Sequence, residues 1–244
     1  MRRFYAPPGQ FSDQSIQLGI EETRHLRDVL RLREGIEINV FDGEGREFLC
    51  KIEKIEKKIS SLIIVSEIDP VSAESNLELV LAVGLLKGEK FDLVVQKAVE
   101  LGVSRIQPLY TKRSDVKFSV KDTKTERWRK IALEAAKQSG RAKLTKIEEP
   151  REFEQFIEHF HTSPAAGEGR ILFTEREGRG FEIDRKFKKI TALVGPEGGW
   201  EKSELDSALK GGFELITFGG RILRAETAAI TVASILQHRF GDLN

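Results

Sequence analysis

Residues 190–200 read Ile190-Thr191-Ala192-Leu193-Val194-Gly195-Pro196-Glu197-Gly198-Gly199-Trp200, in which the uncharged, mostly apolar run 190–194 empties into a turn with three glycines and a proline. The run has the length and composition of a strand buried on both faces of a parallel sheet. Glu201 to Leu209 behind it has helical texture. A buried strand that ends in glycines before a helix is where α/β sheets hold ligands, at the carboxyl ends of their strands. Glycines there let the backbone approach a flat ligand and offer it N–H and C=O groups. The spacing fits neither G-x-G-x-x-G nor G-x-x-x-x-G-K-[ST], so dinucleotide-binding and P-loop readings are poor.

A second element repeats the arrangement. Phe213 to Phe218 reads as a strand, followed by Gly219-Gly220-Arg221-Ile222-Leu223-Arg224 and a closing helix over Glu226 to Arg239. Arg221 and Arg224 are three apart and can reach one anionic site; alternatively each is a surface charge or a partner for Glu226. Two such loops in succession predict a two-lobed pocket.

Working outward, the chain from Leu77 alternates strands and helices. Strands are expected at Leu77–Leu85, Arg105–Tyr110, Ile171–Phe173 and Ile190–Val194. Helices are expected at Lys90–Leu101, Thr125–Ser139, Glu152–Phe160 and Glu201–Leu209. That alternation means an α/β fold with a parallel sheet. The first seventy residues are mostly β: Ile36–Phe41 ends at the turn pair Asp42-Gly43, and Phe48–Ile59 and Leu62–Ile68 are β-branched runs. One short helix, capped by Thr23 with Leu26, Val29 and Leu30 on its apolar stripe, interrupts them. The polar, proline-bearing stretch 71–76 reads as a linker. The expected division is therefore a small β-barrel domain over 1–70, a linker over 71–76 and an α/β domain over 77–244.

Composition excludes more than it nominates. The 244 residues carry 40 Lys plus Arg and 39 Asp plus Glu, so the net charge of +1 gives no global sign of a nucleic-acid partner. Its distribution does. Residues 105–146 hold 13 basic and 4 acidic side chains, a local +9. On the helix over Thr125–Ser139, Arg127, Lys130 and Lys137 share a polar face, Arg141 follows, and Trp128 and Ile131 lie opposite. We read this as a phosphate-facing strip against the alternative of a solvated helix face. Arg24, Arg27, Arg31 and Arg33 form a smaller cluster, open to RNA binding or to surface solubility. A lone cysteine, Cys50, rules out an internal disulfide, and four histidines, with His159 and His161 two apart, leave no metal cluster. The start, MRRFYAPPGQ, has no apolar run behind its basic residues, and the longest apolar stretch is about half a membrane span. A soluble, cytoplasmic protein with no metal and no membrane partner is expected.

GPEGGW and GGRILRAETAA together resemble the SPOUT-class methyltransferases, and more closely the RsmE-type family that methylates N3 of a uridine in small-subunit (16S) ribosomal RNA. MRRFYA, HLRDVLRLREG, FDGEG, QKAVELGVSRIQP and ERWRKIALEAAKQSGR extend the likeness over nearly the whole chain. Phe218 stands where the family usually has leucine, and Leu144 where it tends to have proline. The resemblance implies a PUA-like RNA-binding barrel followed by a SPOUT domain with a C-terminal trefoil knot, paired as a homodimer. It further implies S-adenosylmethionine against three segments: Leu172-Phe173-Thr174-Glu175, the loop Val194 to Trp200 (Gly195, Pro196, Gly198 and Gly199 included), and Ile216 to Leu223 with Phe218, Gly219, Gly220 and Ile222.

For that reaction, Arg224 or Arg221 is the expected cation for the uracil anion, since a guanidinium is planar, forked and permanently charged. Glu197 either accepts or relays the N3 proton, or caps the next helix or binds backbone amides. The target base must leave its pairing to present N3. Rival readings are a SPOUT enzyme acting on transfer RNA or another position, a non-catalytic ribosome-assembly factor, and a small-molecule α/β enzyme.

Overall fold

The computed structural model describes residues 2–116, 124–161, 163–182 and 185–243. The chain divides into two compact units, Met1–Glu74 with Ala136–Leu144, and Ser75–Ala135 with Thr145–Asn244. The first unit carries strands β1 (Arg3–Tyr5), β2 (Ser15–Leu18), β3 (Glu37–Phe41), β4 (Glu47–Ile55) and β5 (Ser60–Ile68). They form one sheet in the order β1-β3-β4-β5-β2, antiparallel except for β1 beside β3. Phe4 from β1 and Ile16 from β2, at opposite ends of that order, enter the same core with Val40, Ile52 and Leu62. Cys50 lies in it too, and burial pushes its thiol up to about 12, so it behaves as a small hydrophobe.

The short helix of this unit differs from its sequence reading. Helix α1 (Ile20–Arg24) starts behind Gly19, and Thr23 is an interior residue whose Oγ1 donates to Leu18 O at 3.2 Å. A π-turn follows over His25–Val29, closed by Leu30 N donating to His25 O at 2.9 Å. The wider turn rotates every later position. Leu26 stays buried, but Val29 is 67% exposed and Arg31 takes a left-handed φ of 49°.

The compact units are not contiguous in sequence. Residues 136–144 join the first unit through contacts distant in sequence. Arg3 Nη1 donates to Ala136 O at 3.0 Å, Lys137 pairs with Glu22, Arg141 Nη2 donates to Glu74 Oε2 at 2.7 Å, and Leu144 N donates to Gly43 O at 2.9 Å. The expected linker is part of this seam, with Ser72 N donating to Gly140 O at 3.1 Å.

The second unit is built on β6 (Glu78–Gly84), β7 (Arg105–Tyr110), β8 (Lys146–Ile147), β9 (Arg151–Glu152), β10 (Glu168–Phe173), β11 (Arg179–Gly180), β12 (Lys189–Val194) and β13 (Glu214–Thr217). Every pairing is parallel, in the order β11-β13-β10-β12-β6-β7-β8 with β9 also on β7. Helices α2 (Lys90–Glu100), α3 (Lys124–Ser139), α4 (Phe153–Ile157), α5 (Lys202–Lys210) and α6 (Ala225–Phe240) accompany it. The two-residue strands β8, β9 and β11 and the short β1 and β2 are too brief to show a period, and the sequence reading missed them. No helix among the described residues is long and apolar enough to cross a membrane.

One buried ion pair organises the first unit. Arg3 Nε and Nη2 each donate to Glu47 at 2.9 Å, with side-chain exposures of 4% and 0%. Asn39 Nδ2 adds a bond to Glu47 Oε1 at 3.1 Å. Removing one partner of such a pair strands a charge in the core. Glu47→Ala is expected to lower unfolding free energy by about 3–5 kcal/mol, read by urea denaturation; a smaller loss would mean water reaches Arg3.

Candidate active site

The parallel register sets four strand ends side by side. Phe173 is opposite Val194 and Ile216, and Val194 is opposite Val83. The chain leaves the sheet there into Thr174–Glu177, Gly195–Trp200 and Thr217–Leu223. These segments surround a cavity of about 590 Å³. From the first segment Phe173, Thr174 and Glu175 line it, and from the second Val194, Gly195, Pro196, Glu197, Gly198, Gly199 and Trp200. The third contributes Phe218, Gly219, Arg221, Ile222, Leu223 and Arg224.

Three expected cofactor contacts are not on this wall. Leu172 and Ile216 are fully buried within β10 and β13, and Leu172 lies on the sheet face opposite to its neighbour Phe173. Gly220 is exposed at a left-handed turn beyond the rim. The structure adds wall residues that the motifs did not reveal: Lys90, Arg113, Arg176 and Glu177 at the rim, with Leu205, Ala228 and Val232 as apolar lining.

The first glycine loop is shaped by close contacts. Gly199 N donates to Pro196 O at 2.9 Å, closing a turn in which Gly199 has φ 69°. Trp200 Nε1 donates to Phe173 O at 3.0 Å, tying the loop to the end of β10. A Cβ on Gly198 would lie 2.8 Å from Arg113, and one on Gly84 would lie 2.7 Å from the backbone nitrogen of Pro196. Gly84 is thus part of the site without touching the cavity; a glycine inside a strand pattern was its only sequence signal. On the cavity wall, Phe173 and Phe218 stack with ring centroids 5.1 Å apart.

Glu197 is already engaged. Its Oε1 accepts from Lys90 Nζ at 2.8 Å and from Lys87 N at 3.4 Å. Burial works to raise its pKa, but Lys90 and the backbone N–H groups outweigh that and hold it below the usual carboxylate range. A carboxylate so stabilised is a poor proton acceptor. The amide-binding alternative is the one the geometry favours. It does not cap α5: that capping box is made by Glu201 and Glu204.

The basic strip expected on α3 is largely neutralised in place. Lys137 and Arg141 have side chains only 15% and 5% exposed, paired with Glu22 and Glu74. Arg127 pairs with Asp92 and Glu89. Lys130 is exposed. In the smaller cluster, Arg27 is held by Asp28 and by the carbonyl of Lys57 at 2.9 Å. Arg24, Arg31 and Arg33 are exposed and make no ion pair among the described residues. The charge count missed the carboxylates supplied from other segments.

The RNA methyltransferase domain family matches residues 73–237, the part of the chain that holds the parallel sheet and both glycine loops around the cavity. The RNA methyltransferase PUA domain family matches residues 19–65. The chain belongs to the ribosomal RNA small subunit methyltransferase E family. It is 32% identical over 235 residues to that protein from Synechocystis sp., covering 93% of this chain and 74% of the relative. It is 30% identical to the Bacillus subtilis protein, covering 90% and 88%. Among solved structures, ribosomal RNA small subunit methyltransferase E from Neisseria gonorrhoeae bound to S-adenosyl methionine superposes with a TM-score of 0.88 at 31% identity over 100% of both chains. A putative methyltransferase from Legionella pneumophila in complex with bound cofactor SAM also gives 0.88, at 32% identity over 98% of each.

The loop packing has a direct check. Gly84→Ala is expected to cost about 1–3 kcal/mol as an overpacked site and to change the near-ultraviolet circular dichroism of Trp200 as the loop shifts. Gly180→Ala, whose methyl would meet nothing within 4 Å, should leave both unchanged.

Proposed function

We propose that this chain transfers a methyl group from S-adenosylmethionine to N3 of a uridine in small-subunit ribosomal RNA. The observation that carries the reading is the cavity itself, enclosed by three strand-end segments in a chain of this family. Its volume lies within the range of sites that enclose small ligands. The donor set fits a nucleoside-bearing cofactor: backbone groups freed by glycines, an apolar wall from Leu205, Ala228 and Val232, and the Phe173–Phe218 stack. Thr174, Glu175, Gly195 to Trp200, Phe218, Gly219, Ile222 and Leu223 would hold it.

When bound, S-adenosylmethionine supplies a methyl already activated on a sulfonium, so the protein's share is positioning and charge. Uridine N3 is a weakly acidic imide, and losing its proton spreads negative charge onto O2 and O4. Arg224, with Arg221 beside it on the loop, supplies the permanent cation for that anion. Glu197, locked to Lys90, shapes the rim and is not assigned the proton.

RNA is approached, in this reading, through the exposed Arg24, Arg31 and Arg33, which lie in or beside the part that matches the PUA domain family. Lys130 and Arg127 are secondary contributors, and Lys137 and Arg141 serve the fold. Pairing of two chains through α6 is supported by its composition: Ile230 and Ile235 are partly exposed on a helix whose Ala229, Val232, Ala233 and Leu236 are buried, so it is apolar on more than one side. The family resemblance extends the proposal to a trefoil knot in residues 190–240.

The test is incubation with small ribosomal subunits and labelled S-adenosylmethionine, then mapping of the modified nucleotide. A methyl on uridine N3 blocks Watson–Crick pairing and arrests reverse transcription there. Arg224→Ala should lower the rate about 10²–10³-fold while S-adenosylhomocysteine binding by calorimetry stays near wild type; unchanged turnover sinks the assignment. Replacing Arg24, Arg31 and Arg33 together with alanine should weaken RNA binding and reduce its salt slope by up to about 3, with no change in melting temperature.

A further inference from the structure

Lys90 was not singled out by any motif, yet it stands at the rim of the cavity at the first position of α2. Its side chain is 40% exposed, and its Nζ spends one hydrogen bond on Glu197 at 2.8 Å. An ammonium carries three donors, so two remain for a ligand. That hydrogen bond holds Lys90 firmly protonated; the nearby charge of Glu226 adds to the effect and that of Arg224 opposes it. Lys90 and Arg224 therefore present two cations to one region. Glu226 Oε2 is buried beside them and has no hydrogen-bond partner among the described residues. Neither cation has turned to that oxygen.

The chemistry of an N3 acceptor calls for two cations. The imide anion carries its charge on O2 and O4, one on each side of N3. A single forked guanidinium bridging both oxygens would lie across N3 and cover the lone pair that must react. Donors placed separately, one per carbonyl, stabilise the anion and leave N3 open. Resting on the uridine-N3 reading above, we infer that Lys90 is a second catalytic cation, donating to the uracil carbonyl that Arg224 does not hold, with Glu197 fixing its position. The N3 proton passes to water at the cavity mouth. N3 then forms its bond to the methyl carbon as the carbon–sulfur bond breaks, the sulfur keeping the electron pair.

Wild-type product is mapped first. A methyl on another atom overturns the N3 reading before any variant is made. With N3 established, rates of full-length wild type, Lys90→Met and Lys90→Arg are compared across the neutral and alkaline range on small ribosomal subunits. Lys90→Met is expected to lower kcat about 10²–10³-fold and to move the rising limb of the pH–rate profile to higher pH, because the bound imide becomes less acidic. Lys90→Arg should restore most of the rate, and S-adenosylhomocysteine affinity should be unchanged in both. A wild-type kcat and pH profile in Lys90→Met overturns the inference. So does a loss of S-adenosylhomocysteine binding in step with the rate, which would make Lys90 a support of the cofactor wall.

Discussion

The site depends on one constraint, the parallel register that stops four strands at the same level. Ile216, Phe173, Val194 and Val83 are consecutive neighbours across the sheet. Backbone hydrogen bonding sets that alignment to a single residue, because a slip by one would turn every buried side chain to the opposite face. The segments behind these residues therefore emerge together and must share the space above the strand ends. Loop chemistry refines a place that the sheet has already made.

Two contacts convert shared space into a shaped cavity. The indole of Trp200 holds the first glycine loop to the carbonyl of Phe173, and the missing side chain of Gly84 admits Pro196. Glu197 then points to Lys90 at the start of α2, joining a loop to a helix through an ion pair at the rim. The rim is thus as organised as the wall, and its charges are placed before any ligand arrives. Such preorganisation is the usual source of electrostatic stabilisation in transfer reactions.

Charge shows where one-dimensional reading fails. A +9 segment in a near-neutral chain resembles an RNA-facing strip. In space, Glu22, Glu74, Asp92, Glu149 and Glu201 meet its Lys137, Arg141, Arg127, Arg129 and Arg113. These partners come from segments far apart in sequence, which a running count separates and folding brings together. Arg24, Arg31 and Arg33 of the smaller cluster, by contrast, are exposed and make no ion pair among the described residues.

The two glycine loops, the strands that feed them and the helices that follow were legible in the sequence, because buried apolar runs and glycine clusters are local signals. From them came the α/β class, the pocket and most of its wall. A motif does not say which strand residues are fully buried, as Leu172 and Ile216 are, and Lys90 and Gly84 were missed because each matters only through a neighbour more than a hundred residues away. By itself, then, the sequence determined the kinds of element, their order and the family. Register and long-range ion pairing decided the rest: which residues face the cavity, which cations remain exposed, and that residues 136–144 return to the first unit. Those outcomes are set by contacts between distant segments, which exist only once the chain has folded.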